Sequence, residues 1–550
     1  MKRRDFLKQA AAGSTSIGAA QFLSYFLNFG APRSARADSL AADLSRRAGE
    51  PRFLIYWFAE GGWMGYDMFN PVMSANNVVE RLDDPSRERY RVLKWGQENY
   101  GLRERDGIRY GYLAQGGEEL LRDMAVLSSM STGSFHSGER LKALMGDPAL
   151  KIDAERQDDE RSVTQAFTEV YGRPFILPNL TWHRWLSDGE LNEVQFSGRR
   201  GDFLGLGPTH AHTIAAGPPA RLRDMLVRLR RMSTDAVNAR IEEFLDGIDA
   251  HLLDDEAAEI VKSYHAARAV HRALSTSGRS IDPRVLDGLF ADAELEEAFG
   301  VAPADELITY TSVNGNKARS KYSPATNVQA MMTYELMRAG WSCAFWIESR
   351  DIRKFDTHHA RRRLWKDDGV SPVGLPDTTE RMNRDLWRPL LALVERLKST
   401  EWGDTGRSLY DLTTIVLTSE FGRSMHGDVE AIRKKKIADS EKNKMIGEQD
   451  ICQHWPVTSA AFLGGSVRGG SQFGRVGEET LRPVPILPDG SLDPAFHAES
   501  GLPREGSKKS DRSFVPGHGD VYATALHLAD IDPTGRGRNR RQPLRFIKRT

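Results

Sequence analysis

The strongest constraint on the fold is a set of short, almost wholly apolar runs, each stopped by glycine or by a polar turn. Phe53 to Ala59 ends at Glu60-Gly61-Gly62. Ala125 to Leu127 passes through Ser128 to Gly133 into Phe135-His136-Ser137, and Pro174 to Leu177 precedes Pro178-Asn179. Trp341 to Ile347, Leu412 to Leu417 and Val457 to Leu463 repeat the pattern. A strand with one wet face alternates apolar and polar residues, so a run without alternation implies burial on both faces. Between the runs lie segments of helical periodicity: Asn327 to Ala339, with Met331, Met332, Leu336 and Met337 on one side, Met382 to Leu397, and Asp520 to Ala529. The shorter GERLKALMG reads as a helix closed by Gly146. Buried strands joined through amphipathic helices predict an α/β fold with a largely parallel central sheet covered by helices. In such a sheet a ligand site gathers beyond the carboxyl ends of the strands.

At the N-terminus, Lys2-Arg3-Arg4-Asp5-Phe6-Leu7-Lys8 precedes a weakly apolar stretch and the small-residue pattern Ala35-Arg36-Ala37. This resembles a twin-arginine signal peptide over residues 1–37, with Lys2 standing where Ser or Thr is usual. Such a signal implies the twin-arginine export machinery as a partner and a periplasmic or secreted destination. That machinery carries proteins already folded, often with a cofactor in place. Gly13, Ser14, Ser16, Gly18 and Gln21 make the stretch a poor permanent span, and no later run is long enough to cross a bilayer, so no transmembrane anchor is expected after signal removal. The 76 basic and 76 acidic side chains balance, which argues against nucleic acid as the main partner. Cys343 and Cys452 permit one disulfide, but Cys343 lies in an apolar run and reads as a small buried hydrophobe. Residues 38–550 then form the α/β domain. A charged helical insertion occupies about 220–275 and a lysine-rich flexible loop about 430–448.

The carboxyl-edge rule gathers several separate residues. Glu60 follows the first run, Ser131 to Ser137 the second, Asp356 and His358 the run ending near Ile347, and Glu420 the run ending near Leu417; His454 comes from a loop before the next run. Carboxylate oxygens and neutral imidazoles suit a divalent metal: Zn²⁺ takes both, whereas Mg²⁺, Ca²⁺ and Mn²⁺ favour the oxygens. Each residue also has an ordinary reading. Asp356 can start a turn, His358 can be solvated, Glu420 can pair with Arg423, and His454 can pack on Trp455.

The motifs GGWMGYDMFNP (61–71), VLSSMSTGSFHSGERLKALMG (126–146), FDTH (355–358), TSEFGR (418–423), HWP followed by LGGSVRGG (454–470) and DVYATALHLADID (520–532) stand in a characteristic order. Together they resemble the exported bacterial domain of unknown function 1501 family, related to the alkaline phosphatase and sulfatase superfamily. The resemblance implies an alkaline-phosphatase-like α/β sandwich with divalent metal at the carboxyl edge. It implies Asp356 and His358 as one ligand group, Glu420 and His454 as further ligands, and Glu60 or Asp67 as the first carboxylate. Ser137 resembles a nucleophile at a helix start, where backbone N–H groups and the dipole favour a phosphate or sulfate; as a helix N-cap it would be structural. His136 beside it can be a ligand, a general acid or a packing residue. Arg423 and Arg361 match an anion's oxygens in geometry. Two departures stand out. Gln453 occupies a position that is often acidic, with Asp450 three residues upstream, and the sulfatase pattern of Cys or Ser followed by x-Pro-x-Arg is absent. The expected activity is exported, metal-dependent hydrolysis of a phosphate or sulfate ester on a small molecule or glycan. The alternative is a noncatalytic periplasmic protein that keeps the fold for binding or structure.

Overall fold

The computed structural model describes residues 51–59, 61–63, 65, 68–71, 103–133, 136–146, 162–172, 175, 178–181, 212–213, 292–301, 309–311, 317–319, 326–340, 342–348, 382–403, 405–423, 436–441, 454–477, 480–534 and 541–549. The expected signal peptide and the helical insertion lie outside them, as does most of the lysine-rich loop.

One eight-stranded sheet organises the chain. Its strands are β1 (Phe53–Phe58), β2 (Ala125–Ser131), β3 (Asn179–Thr181), β4 (His212–Thr213), β5 (Ala344–Glu348), β6 (Thr413–Thr418), β7 (Val457–Gly464) and β8 (Ser471–Phe473). Their spatial order is β8-β2-β7-β6-β1-β5-β3-β4. β1 lies at the centre, parallel to β6 through Tyr56↔Val416 and to β5 through Tyr56↔Trp346. Only β7 is reversed, running antiparallel to both β6 and β2. The sheet is therefore largely parallel, and every residue of β1, β5, β6 and β7 is buried. Successive side chains of a strand point to opposite faces, so burial at every position means that both faces are covered.

Among the described residues six α-helices supply the cover: α1 (His136–Met145), α2 (Val163–Tyr171), α3 (Ala293–Phe299), α4 (Thr326–Arg338), α5 (Arg388–Ser399) and α6 (His518–Leu528). They pack as two groups, α6 against α1 and α2, and α3, α4 and α5 against one another. Ser162 caps α2 by accepting from the Gln165 amide, satisfying one of the first-turn donors that a helix leaves free. Gly146, at φ 92°, takes the left-handed turn that ends α1.

Several elements differ in detail from the sequence reading. Of the strand expected at 174–177, all but Phe175 lies outside the described residues; a strand forms just beyond it, at Asn179–Thr181. The Pro178 carbonyl accepts from the Cys343 and Ala344 amides, so pairing with β5 starts at the proline, which has no N–H of its own to give. The helix expected from Met382 begins with a π-helical turn over Asn383–Trp387. Pro389 follows in the first turn of α5 and cannot donate to the carbonyl four residues back, which widens the preceding turn. Beyond Val457–Gly464 a further, part-exposed strand that no apolar run marks, β8, adds to the edge beside β2. Cys343 is a free, fully buried thiol whose S–H meets the Pro178 carbonyl.

At the amino end of the sheet, Arg52 pairs with Asp530 at 2.8 Å, and Lys548 pairs with the same carboxylate at 2.6 Å. This ties the residue before β1 to the chain beyond α6. Among the described residues no helix is long and apolar enough to cross a membrane.

Candidate active site at the carboxyl edge

The two central strands end side by side, with the Ala59 amide bonded to the Thr418 carbonyl at 2.8 Å. Beyond β1 the chain turns through Gly61 (φ 113°) and Gly62 (φ 75°), backbone angles that L side chains rarely adopt. Space adds a second reason for glycine, because a Cβ on Gly62 would collide with the Phe421 ring.

The loop after β6 is built against this turn. Glu420, wholly buried, accepts the Gly61 N–H on Oε1 at 2.8 Å. Ser419 Oγ donates to the Ala59 carbonyl at 2.6 Å, accepts from the Trp63 amide at 3.2 Å, and lies 3.2 Å from Glu420 Oε2. Arg423, 1 % exposed, donates Nε–H to the Gly62 carbonyl at 3.1 Å and a terminal N–H to the Gly61 carbonyl. Its guanidinium therefore braces both peptide oxygens of the turn, using the fork geometry that makes arginine bidentate.

His454 belongs to the same assembly. Gly422–Arg423 pairs antiparallel with His454–Trp455, with Arg423 opposite His454. The half-buried imidazole stacks on Phe421 with ring centres 4.3 Å apart, rather than on its neighbour Trp455. The structure thus brings Glu420, Arg423 and His454 into one loop and ribbon over the ends of β1 and β6. Glu60, Asp67, Asp356, His358 and Arg361 lie outside the described residues. His136 and Ser137 are described as backbone only, the first two residues of α1, so Ser137 sits within the helix's opening turn. Among the described residues, no three His, Cys, Asp or Glu side chains form a group able to hold a metal ion.

Two further residues meet here that the sequence reading passed over. His518 opens α6 and is 3 % exposed; its Nε2 lies 2.8 Å from the Glu420 carbonyl oxygen. A carbonyl only accepts, so this nitrogen carries the proton. Burial holds the imidazole below its usual pKa, partly opposed by the Glu139 carboxylate. Glu139, on α1, is buried with Oε2 3.9 Å from His518 Nε2 and Oε1 2.6 Å from Lys142 Nζ. The Pro516 carbonyl accepts the Ser131 amide, which docks the start of α6 on the end of β2. On the far side, Arg140 and Glu348 form a buried pair at 3.7 Å that ties α1 to the end of β5. The available sequence signal was a histidine between Gly517 and Gly519 at the start of an apolar helix, a pattern that also suits a plain helix start.

No family model matches the chain, and no curated protein matches it. Among solved structures, the lipoteichoic acid synthase LtaP from Listeria monocytogenes superposes at a TM-score of 0.35 and 9 % identity, covering 91 % of this chain and 77 % of that one. So slight a likeness assigns nothing to this protein. The family resemblance rests on the quoted motifs alone.

Proposed function

We propose that the chain is an exported metal-dependent hydrolase of phosphate or sulfate esters, on an alkaline-phosphatase-like frame. The observation that carries this reading is Glu420: a carboxylate with no solvent exposure, at the carboxyl end of a central parallel strand, facing the turn after β1. Removing an ionised carboxylate from water is costly unless partners compensate for it. Glu420 accepts the Gly61 amide, and Gly61 directly follows Glu60 in sequence. A hard oxygen donor in this position suits a divalent cation such as Zn²⁺, Mn²⁺, Mg²⁺ or Ca²⁺. In this proposal Glu420 and His454 hold it together with Asp356, His358 and a carboxylate from Glu60 or Asp67.

A cation bound there supplies Lewis acidity toward the ester oxygen and the leaving alkoxide. The remaining work falls to side chains and backbone. Ser137, in the opening turn of α1, is the proposed nucleophile, with helix amides favouring the anionic ester group beside it. His136 is the proposed group that passes a proton to or from the reacting oxygens. Arg361 takes the outer anion oxygens. Arg423 belongs with the substrate-binding residues by holding the Gly61-Gly62 turn at the rim.

The test is elemental analysis of the mature protein beside Glu420→Gln and Asp356→Ala, followed by assay against a panel of phosphate and sulfate esters. Stoichiometric metal in the wild type, lost from both variants together with ester hydrolysis, is the expected result. Metal-free wild-type protein that leaves every ester intact would replace this reading with a noncatalytic periplasmic role.

A further inference from the structure

Three segments meet Glu420, and two of them belong to the β1 turn and the β6 loop. The third is the start of α6. We propose that His518 is the positioning residue of this carboxylate: its Nε2–H holds the Glu420 carbonyl and thereby sets where the side chain is presented. The inference rests on the proposed role of Glu420 and adds a residue to it that no motif reading assigned.

The geometry supplies the argument. Residues on either side of Glu420 are tied to the β1 turn, Ser419 through Ala59 and Arg423 through Gly61 and Gly62. Those ties hold the residues on either side of it. His518 holds the Glu420 carbonyl itself from the start of α6, at 2.8 Å. It has a firm base from which to do so. The Gly517 amide donates to Asp520 Oδ2 at 2.9 Å, the Pro516 carbonyl is bonded to the end of β2, and the body of α6 is almost entirely buried. Burying an imidazole costs desolvation that an apolar ring would avoid, and the bond to Glu420 offsets it at Nε2. His518 Nδ1 and Glu139 Oε2 are both buried without a hydrogen-bond partner, so the ring is retained at a cost that packing alone does not require. Partners that orient a ligand side chain typically change metal affinity by about 10–100-fold when removed.

Three variants separate positioning from bulk. His518→Gln keeps an amide N–H near the Nε2 position, His518→Asn keeps polarity but falls short, and His518→Ala removes the donor. Hydrogen exchange of peptides covering 418–423 in metal-free protein should speed up in the Asn and Ala variants and return toward wild type in Gln. Mn²⁺ or Zn²⁺ affinity by calorimetry should fall about tenfold or more in Asn and Ala and recover to within about threefold in Gln. In the wild type, histidine ¹⁵N shifts should show the Nε2–H tautomer, with the signal assigned by its loss in Gln, a readout that needs no variant beyond that one. Unchanged exchange at 418–423 in the Asn and Ala variants, equal affinity loss in all three, or an Nδ1–H tautomer would each overturn the proposal. If wild-type protein binds no metal while exchange still rises in Asn and recovers in Gln, positioning stands and the hydrolase reading fails.

Discussion

Replacing Arg423 with alanine decides whether this guanidinium braces the backbone or waits for a substrate anion. It is 1 % exposed, donates to the carbonyls of Gly61 and Gly62, and lies 5.4 Å from the centre of the Phe421 ring. Both glycines are themselves buried, so alanine leaves two carbonyls without these donors in a place water does not reach. Each such orphan costs about 1–3 kcal/mol, and the loss of the long side chain opens a void beside Phe421. The expected destabilisation is roughly 3–6 kcal/mol. An unfolding entropy of about 2.1 cal/mol/K per residue over a chain this long gives about 1 kcal/mol per degree, hence a drop in Tm of roughly 3–6 °C. Differential scanning calorimetry in chelator, with no ester present, measures it. An anion clamp predicts the opposite, because deleting a buried cation whose partner is absent relieves its desolvation. A metal-free Arg423→Ala protein melting within about 1 °C of wild type would therefore refute the brace.

Gly62→Ala should cost about 1–2 kcal/mol for the left-handed backbone and about 1–3 kcal/mol for the collision with Phe421. Gly403→Ala, where φ is 52° and nothing lies within 4 Å of the new methyl group, should show only the first cost. Equal denaturant midpoints for the two variants would mean that the ring does not constrain the turn. His527 is held below its usual pKa by burial first, then by Lys548 and Arg545, with Asp530 and Asp532 opposing. The unfolded chain therefore binds this proton more readily than the folded one, and its contribution to stability is present above about pH 6.5 and lost as pH falls toward the depressed folded value. His527→Gln should lose less Tm than wild type between pH 7 and pH 5; parallel curves would contradict the linkage.

The apolar runs fixed strand positions because burial on both faces leaves no polar residue to blur them, as in FLIYWF and TTIVLT. Direction is another matter. An apolar run carries no arrow, and nothing within VTSAAFLG distinguishes the reversed β7 from a parallel strand. Pro178 gives its carbonyl but no N–H to the pairing that leads into β3, and Pro389 widens the turn before α5 through the same missing N–H. Ser471–Phe473 is short, part-exposed and at the sheet edge, so hydrophobicity cannot reveal it. At the site, the carboxyl-edge rule placed Glu420 and the Gly-Gly turn together because β1 and β6 are neighbours. It could not tell what Arg423 would do, since whether an arginine reaches solvent or turns inward to backbone oxygens depends on the shape of a loop formed by residues some 360 positions apart. His518 was hidden for the same reason: its partner is a backbone carbonyl, which leaves no trace in side-chain composition.

Many of the costly buried groups sit at this rim. Glu139, Arg140, Glu348, Glu420, Arg423 and His518 are all buried, and all lie at or beyond the carboxyl ends of β2, β5 and β6 or at the start of α6. At the opposite end, the Arg52, Asp530 and Lys548 cluster ties the chain together with Asp530 40 % exposed. Ion pairs at the surface can hold elements in register without giving up much hydration. Buried ones are a poor route to stability, since well-packed apolar residues of the same volume often do as well or better. Glu335 within α4, Asp385 before α5 and Asp493 beyond β8 are buried as well, so the rim is one of several places where the fold holds desolvated charge. Enclosed charged groups gathered where parallel strands end are the arrangement on which the proposed site is built. Arg423, Phe421 and Glu420 meet the Gly61-Gly62 turn through separate contacts, so displacing the turn moves the carboxylate.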